Sequence, residues 1–222
     1  MRYTKDSADK RILTILRLTA IVLWGSLLIF LLLHRREINV ESVLNYTPSN
    51  PLLAALVIES FFVLKSISIV FYSGILYIAT GFLFPLPVAI LLNVLGTILM
   101  ILIPYAVGRR LGSSYASSIR EKRPAFRKIE KMRSERPIPF IVLLRCVKIV
   151  NFDLGSMYLG AVSVPLPTVI FGSLLGMLPD MVLYPIIGEN LTEPTSLAFW
   201  LAIGLDVLIT VIASLFSRKI KR

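Results

Sequence analysis

Pro85-Leu86-Pro87 decides how this chain is read, because the same tripeptide returns as Pro165-Leu166-Pro167, eighty positions later. The frame behind it returns too: Gly96 is answered by Gly176 and Gly108 by Gly188. Each copy is preceded by an apolar segment that closes on a glycine, Gly81 or Gly160. Paired prolines set the backbone where an incoming segment turns into a new helix, and glycines let neighbouring helices approach closely. The pattern reads as a duplicated unit, with Gly81, Pro85, Pro87, Gly96, Gly160, Pro165, Pro167 and Gly176 as its structural positions. Chance likeness between two proline-flanked apolar helices is the alternative, and five shared positions favour duplication.

Composition places that unit in a membrane. Of the 222 residues 56% are hydrophobic, above the roughly 45–50% of a water-soluble globule. The longest polar stretch lies between Gly108 and Pro137, too short for a separate soluble domain, so residues 1–222 read as one membrane domain. The formal charge of +11 invites a nucleic-acid partner. Its cations sit at the ends of apolar runs, however, which marks orientation in a bilayer and not nucleic-acid binding. A single cysteine, Cys146, excludes an internal disulfide.

In chain order, a basic start leads into an apolar run at 12–33. That run is long for a signal peptide and has no small-residue cleavage site before His34-Arg35-Arg36, so it reads as a retained first helix. Residues 34–50 are a polar connection ending in Pro48-Ser49-Asn50-Pro51. Segment 52–84 is apolar but interrupted by Glu59 and Lys65, and 86–108 is a clean span. The block Arg109 to Arg136 carries ten Lys or Arg against three Glu, so 109–137 faces the cytoplasm. A second interrupted segment, 138–164, carries Arg145, Lys148, Asn151 and Asp153. The span 166–188, an acidic connection from Glu189 to Glu193 and a last span at 196–216 complete the chain.

Orientation then constrains topology. With both termini cytoplasmic, residues 34–50 lie outside and the basic block inside. Only 86–108 can join those faces if 52–84 enters and leaves by the outer side, as a re-entrant hairpin or as two short crossings. By the same logic 138–164 enters and leaves from the cytoplasm. The expected fold class is an all-α polytopic membrane protein: an inverted repeat of re-entrant hairpin plus transmembrane helix, flanked by N- and C-terminal transmembrane helices. Arg35 and Arg36 fall on the outer side of this arrangement, against the charge rule.

Ionised side chains inside an apolar segment cost about 2.5–3.5 kcal/mol each unless they meet water or one another. Glu59, Lys65, Arg145, Lys148 and Asp153 are therefore the candidate substrate-binding residues, gathered where two hairpin tips meet near the midplane. Charges that only pair internally and hold the hairpins together are the alternative, and Lys65 and Lys148 could instead reach an interface. Asp180 and Asp206 are candidate charge partners. Ser66, Ser68 and Ser73 read as hydroxyls that satisfy backbone, and Tyr77, Tyr158 and Trp200 as packing or interfacial residues. Enzyme chemistry finds little support: His34 is the only histidine, so neither a His-dependent triad nor an H-E-x-x-H zinc site can be assembled, and no nucleotide loop G-x-x-x-x-G-K-[ST] occurs; a Ser-Lys dyad stays open although nothing marks one serine above the others, and no cofactor or metal is expected.

These residues carry a resemblance. Gly81-Phe82-Leu83-Phe84-Pro85 in the first unit, with Leu144-Arg145, Phe152-Asp153, Tyr158-x-Gly160 and Leu175-Gly176-Met177-Leu178-Pro179 in the second, resembles the VTT-domain, DedA-like superfamily of SNARE-associated Golgi proteins. It covers about residues 52 to 190. The resemblance implies two facing re-entrant hairpins and lipid movement across the bilayer, either phospholipid scrambling or flipping of an undecaprenyl-phosphate carrier. By position Glu59 and Asp153 match the family's acidic hairpin residues and Arg145 its hairpin arginine. The family's prolines three and six residues after that arginine are here Lys148 and Asn151, and its proline near the first tip is missing. The added lysines favour an anionic headgroup. The expectation is a multi-pass cell-membrane lipid transporter whose partners are membrane lipids, with homo-oligomerisation left open. A proton- or cation-coupled small-solute transporter and a non-transporting assembly protein are the alternatives.

Overall fold

The computed structural model describes Val22 and residues 50–67, 72–112, 115–117, 121, 132–146 and 151–220. The expected first helix at 12–33 lies outside the described residues apart from Val22, as do Ser68, Lys148 and parts of the basic segment. Among the described residues every regular element is an α-helix. The helices are α1 Pro51–Ile67, α2 Gly74–Leu83, α3 Leu86–Leu111, α4 Met132–Glu135, α5 Pro137–Cys146, α6 Phe152–Ala161, α7 Leu166–Glu189 and α8 Leu197–Ile220.

Local sequence explains the helix starts. Asn50 caps α1, accepting a hydrogen bond from the Leu52 amide at 2.9 Å, and Pro51 follows at the first helical position. Pro85 and Pro165 stand before α3 and α7 with nearly the same extended backbone, φ −54°, ψ 143° and φ −55°, ψ 134°. One extra residue separates Gly160 from Pro165 compared with Gly81 and Pro85. It is absorbed at Ser163, which takes a left-handed φ of 58° while the Val164 amide donates back to Leu159 O at 3.0 Å. Helices α3 and α7, at 26 and 24 residues, are long and apolar enough to cross a membrane; at 1.5 Å per residue they measure about 39 and 36 Å, against a hydrocarbon core of about 30 Å.

Each long helix carries two short ones, drawn from different copies. Helix α3 packs mainly on α1 and α6, and α7 mainly on α5 and α2. The crossings depend on the repeated glycines. A Cβ at Gly81 would overlap the Pro185 backbone and one at Gly188 the Ile78 carbonyl, while Gly108 and Gly160 meet the backbones of Met157 and Tyr105 in the same way. The correspondence extends to the first short helix of each copy: Gly96 leaves room for the Phe62 ring, and Gly176 for the Arg145 stem.

Directions follow from these contacts. Tyr77 reaches Thr97 while Thr80 reaches Asn93, so α2 and α3 run antiparallel. Helix α2 also crosses α7 closely: Gly74 lies under the Tyr184 ring, Gly81 meets Pro185, and Gly188 meets Ile78 and Phe82. The two long helices are apolar on their outer sides as well as inside. Their outward faces expose Val88, Leu91 and Leu95 on α3, and Phe171, Leu175 and Leu178 on α7. Apolar surface of that extent suits hydrocarbon.

Adding a methyl group at a glycine crossing forces two helices apart. Gly160→Ala is expected to cost about 1–3 kcal/mol, the usual penalty of overpacking. Gly204→Ala, where an added Cβ meets nothing within 4 Å, should be neutral or better. Thermal unfolding of the two variants in the same detergent checks this; equal melting temperatures would contradict the close approach.

Candidate functional site

The charges of the two interrupted segments meet at the inner ends of their helices. Lys65 stands in the last turn of α1, Arg145 in the last turn of α5 and Asp153 in the first turn of α6. Asp153 is placed by a local device: Asn151 caps α6 and accepts from the Asp153 amide at 3.0 Å. That holds the carboxylate at a helix N-terminus, where negative charge is favoured.

Lys65 Nζ donates to both oxygens of Asp153, at 2.7 and 2.6 Å, and both side chains are fully buried. Arg145 is 4% exposed and uses every face of its guanidinium. Nη1 donates to the Phe152 carbonyl at 2.7 Å, Nη2 to Ser156 Oγ at 2.8 Å and Nε to Ser173 Oγ at 3.1 Å. The guanidinium also lies over the Phe152 ring, 4.0 Å from its centroid, and Lys65 Nζ is 5.6 Å from the same ring. Gly155 and Gly176 give Arg145 its space, since added Cβ atoms would come within 3.1 Å of Nη1 and 2.7 Å of the Arg145 Cβ. The group holds two cations and one carboxylate.

A second buried network lies between α2, α3 and α7. The Tyr77 hydroxyl is 2.7 Å from Thr97 Oγ1, which donates to Asn93 O at 2.7 Å. Thr80 Oγ1 lies 2.8 Å from Asn93 Oδ1, and Asn93 Nδ2 donates to Met181 O at 3.3 Å. That last bond has a clear cause. Pro185 has no N–H, so the carbonyl four residues back, Met181, loses its helical partner and Asn93 supplies one from the neighbouring helix.

The structure brings together three of the five expected binding residues: Lys65, Arg145 and Asp153. Glu59 does not join them. Six residues from Lys65, it sits about 120° away around the helix axis, and both its carboxylate oxygens are buried with no hydrogen-bond partner among the described residues. Lys148 lies outside the described residues. Lys65 turns inward to Asp153 instead of reaching toward an interface. Asp180 is buried in α7 and is not placed in the Lys65–Arg145–Asp153 group by any hydrogen bond described for those three side chains. Asp206 on α8 accepts from the Tyr184 hydroxyl at 3.4 Å. Ser66 donates to Val63 O within its own helix, as its reading as a backbone-satisfying hydroxyl anticipated. Ser156, Ser173 and Asn93 were not singled out in the sequence, and Phe152 was noted only as the neighbour of Asp153. A polar residue inside an otherwise clean span is the signal that Asn93 and Ser173 offered.

Two apolar helices of membrane-crossing length beside a buried charged cluster suit a helical membrane protein. The comparison with known families agrees: the VTT domain model matches residues 70–190, more than half of the chain. The chain belongs to the VTT-domain family, that of the DedA and SNARE-associated Golgi proteins. No curated protein and no solved structure matches it. The matched stretch contains Arg145 and Asp153 and starts after α1, so Lys65 pairs with Asp153 from outside it.

A buried ion pair is most costly when one partner is removed. Lys65→Met or Asp153→Leu alone should each destabilise the protein by about 3–5 kcal/mol, and the two together by distinctly less. Unfolding of the four proteins of this cycle in detergent gives the coupling; additive losses would contradict a direct pair. In the second network Asn93→Leu strands the Met181 carbonyl, at an expected cost of about 1–3 kcal/mol in the same measurement.

Proposed function

We propose that the protein is a multi-pass cell-membrane lipid transporter that passes an anionic headgroup between two opposed re-entrant helix pairs, α1–α2 and α5–α6, while the tails stay in the bilayer. In this reading the units form an inverted repeat, both termini are cytoplasmic, and no covalent chemistry takes place. The matched backbone at Pro85 and Pro165 and the matched glycine crossings support the repeat. The basic block from Arg109 supports the orientation.

The observation that carries the proposal is the position of Lys65, Arg145 and Asp153: one cluster, buried, at the inner ends of helices that are too short to span a bilayer alone. A buried cluster with more cations than carboxylates is costly in hydrocarbon and useful to a phosphate. Arg145 is the principal receptor, since its planar fork matches phosphate geometry, and the Lys65–Asp153 pair stands beside it. With Lys65 and Arg145 almost fully covered, the arrangement is the closed one, and a headgroup enters only as the helices grouped on α3 shift against those grouped on α7.

Reconstitution tests the reading. In liposomes of phosphatidylcholine and phosphatidylglycerol, the protein should speed transbilayer movement of a headgroup-labelled anionic lipid. Arg145→Ala should slow it by about tenfold or more, the loss of one charge-assisted contact of 1.5–3 kcal/mol. Arg145→Lys keeps the charge but not the fork, and should fall between the two. No headgroup movement by the intact protein, or equal rates for all three, would exclude the proposal.

A further inference from the structure

Because each long helix carries two short ones, the molecule contains two equivalent grooves: one on α3 between α1 and α6, the other on α7 between α5 and α2. They are not filled alike. In the first, a small cleft of about 10 Å³, room for about one water, opens beside Asp153; Ser66, Ile67, Ile103, Pro104 and Val107 also line it. Ile67, Ile103 and Val107 are partly exposed, so the cleft has a mouth.

The duplication identifies what stands in the second groove. Counting from the proline marks, Tyr184 takes the place of Pro104 and Ile187 that of Val107; counting from the closing glycines, Gly74 takes the place of Asp153. The space left by the absent side chain of Gly74 is occupied by two tyrosine rings. A Cβ there would overlap Tyr72 and come within 2.5 Å of the Tyr184 ring. The two hydroxyls are 2.6 Å apart, and Tyr184 is tied on to Asp206 of α8. Where one copy keeps a carboxylate beside a gap, the other keeps a glycine under an aromatic plug.

We propose that the cleft beside Asp153 is the hydrated entrance to the Lys65–Asp153 pair, admitting water and then a polar headgroup, and that Tyr72 and Tyr184 seal the equivalent entrance on the opposite half. The role of a headgroup rests on the lipid-transport reading; hydration on one side and sealing on the other do not. Pro104 on the cleft wall brings no amide donor of its own, so the polar groups of that wall are the Asp153 carboxylate and the Ser66 hydroxyl. Tyrosine suits the opposite task, since its ring excludes water while its hydroxyl finds a partner.

Thiol labelling in lipid nanodiscs, where both membrane faces are exposed, tests the asymmetry. The background is Cys146→Ser, which removes the single native cysteine. Val107→Cys and Ile187→Cys occupy equivalent, partly buried positions. A thiol reacts as its thiolate and so needs water. Val107→Cys should therefore be modified by an anionic, water-soluble methanethiosulfonate about tenfold or more faster than Ile187→Cys. Leu175→Cys on the lipid-facing side of α7 sets the rate in hydrocarbon. Adding Tyr184→Ala to Ile187→Cys should raise its rate by a similar factor. Equal rates at the two positions, or no change with Tyr184→Ala, overturn the proposal. Each variant is checked by thermal unfolding, and if Val107→Cys does not fold, Ile103→Cys on the same wall carries the same expectation. Asymmetric labelling in a protein that moves no lipid keeps the entrance and removes the lipid reading; symmetric labelling in a protein that moves lipid does the reverse.

Discussion

Inside hydrocarbon no polar group can be left to solvent, and the placing of Lys65 against Asp153 is where this protein meets that constraint at its highest stake. Each charge alone would be intolerable where it stands; together, with two hydrogen bonds between them, they are tolerated. The same rule governs Arg145, which finds a carbonyl and two serine hydroxyls, and the Met181 carbonyl, which Pro185 frees and Asn93 takes up. Such satisfied networks fix one arrangement of helices, because any shift leaves a donor or acceptor bare.

The second determinant is close approach. Hydrophobic burial gives helices little reason to associate in lipid, so van der Waals contact at small residues has to supply it. The four glycines at 81, 108, 160 and 188 do so in two matched crossings, and each crossing joins helices from different copies. Duplication thereby becomes entanglement: neither copy can bury its second short helix without the long helix of the other. A chain holding one copy alone would have an exposed glycine face and no partner for it.

The fold was legible to the extent that it depends on spacing. The eighty-residue recurrence of Pro-Leu-Pro and its glycines appears as matched backbone geometry at Pro85 and Pro165 and as matched crossings. The expected spans at 86–108 and 166–188 differ from α3 and α7 by at most three residues, because one proline marks each start and apolar composition persists to each end. Partnership was less legible. Lys65 and Asp153 are eighty-eight positions apart, and no periodicity says which cation the carboxylate takes. Glu59 looked equal to Lys65 because both interrupt one apolar segment; the helical turn between them sends Glu59 to another side. Asn93 reads as a blemish in a clean span until Pro185 is placed beside it.

Which contacts hold, and which yield, follows from how the helices are grouped. Lys65 and Asp153 both ride on α3, through α1 and α6, so their pair lies within one packed body. Arg145 rides on α7 through α5, and its bonds to Phe152 and Ser156 cross to the body built on α3. The contacts of Tyr77 and Thr80 with Thr97 and Asn93 cross in the opposite sense. If the two bodies slide, the ion pair can travel intact while the guanidinium loses its carbonyl and one of its hydroxyls, retaining Ser173 on its own side. A cation stripped of two neutral acceptors in a low-dielectric interior has a strong demand for an anion. On the proposed lipid reading, the motion that opens the cluster would thus be the motion that raises its affinity for a phosphate, and the charge imbalance that is costly when buried would become the source of binding.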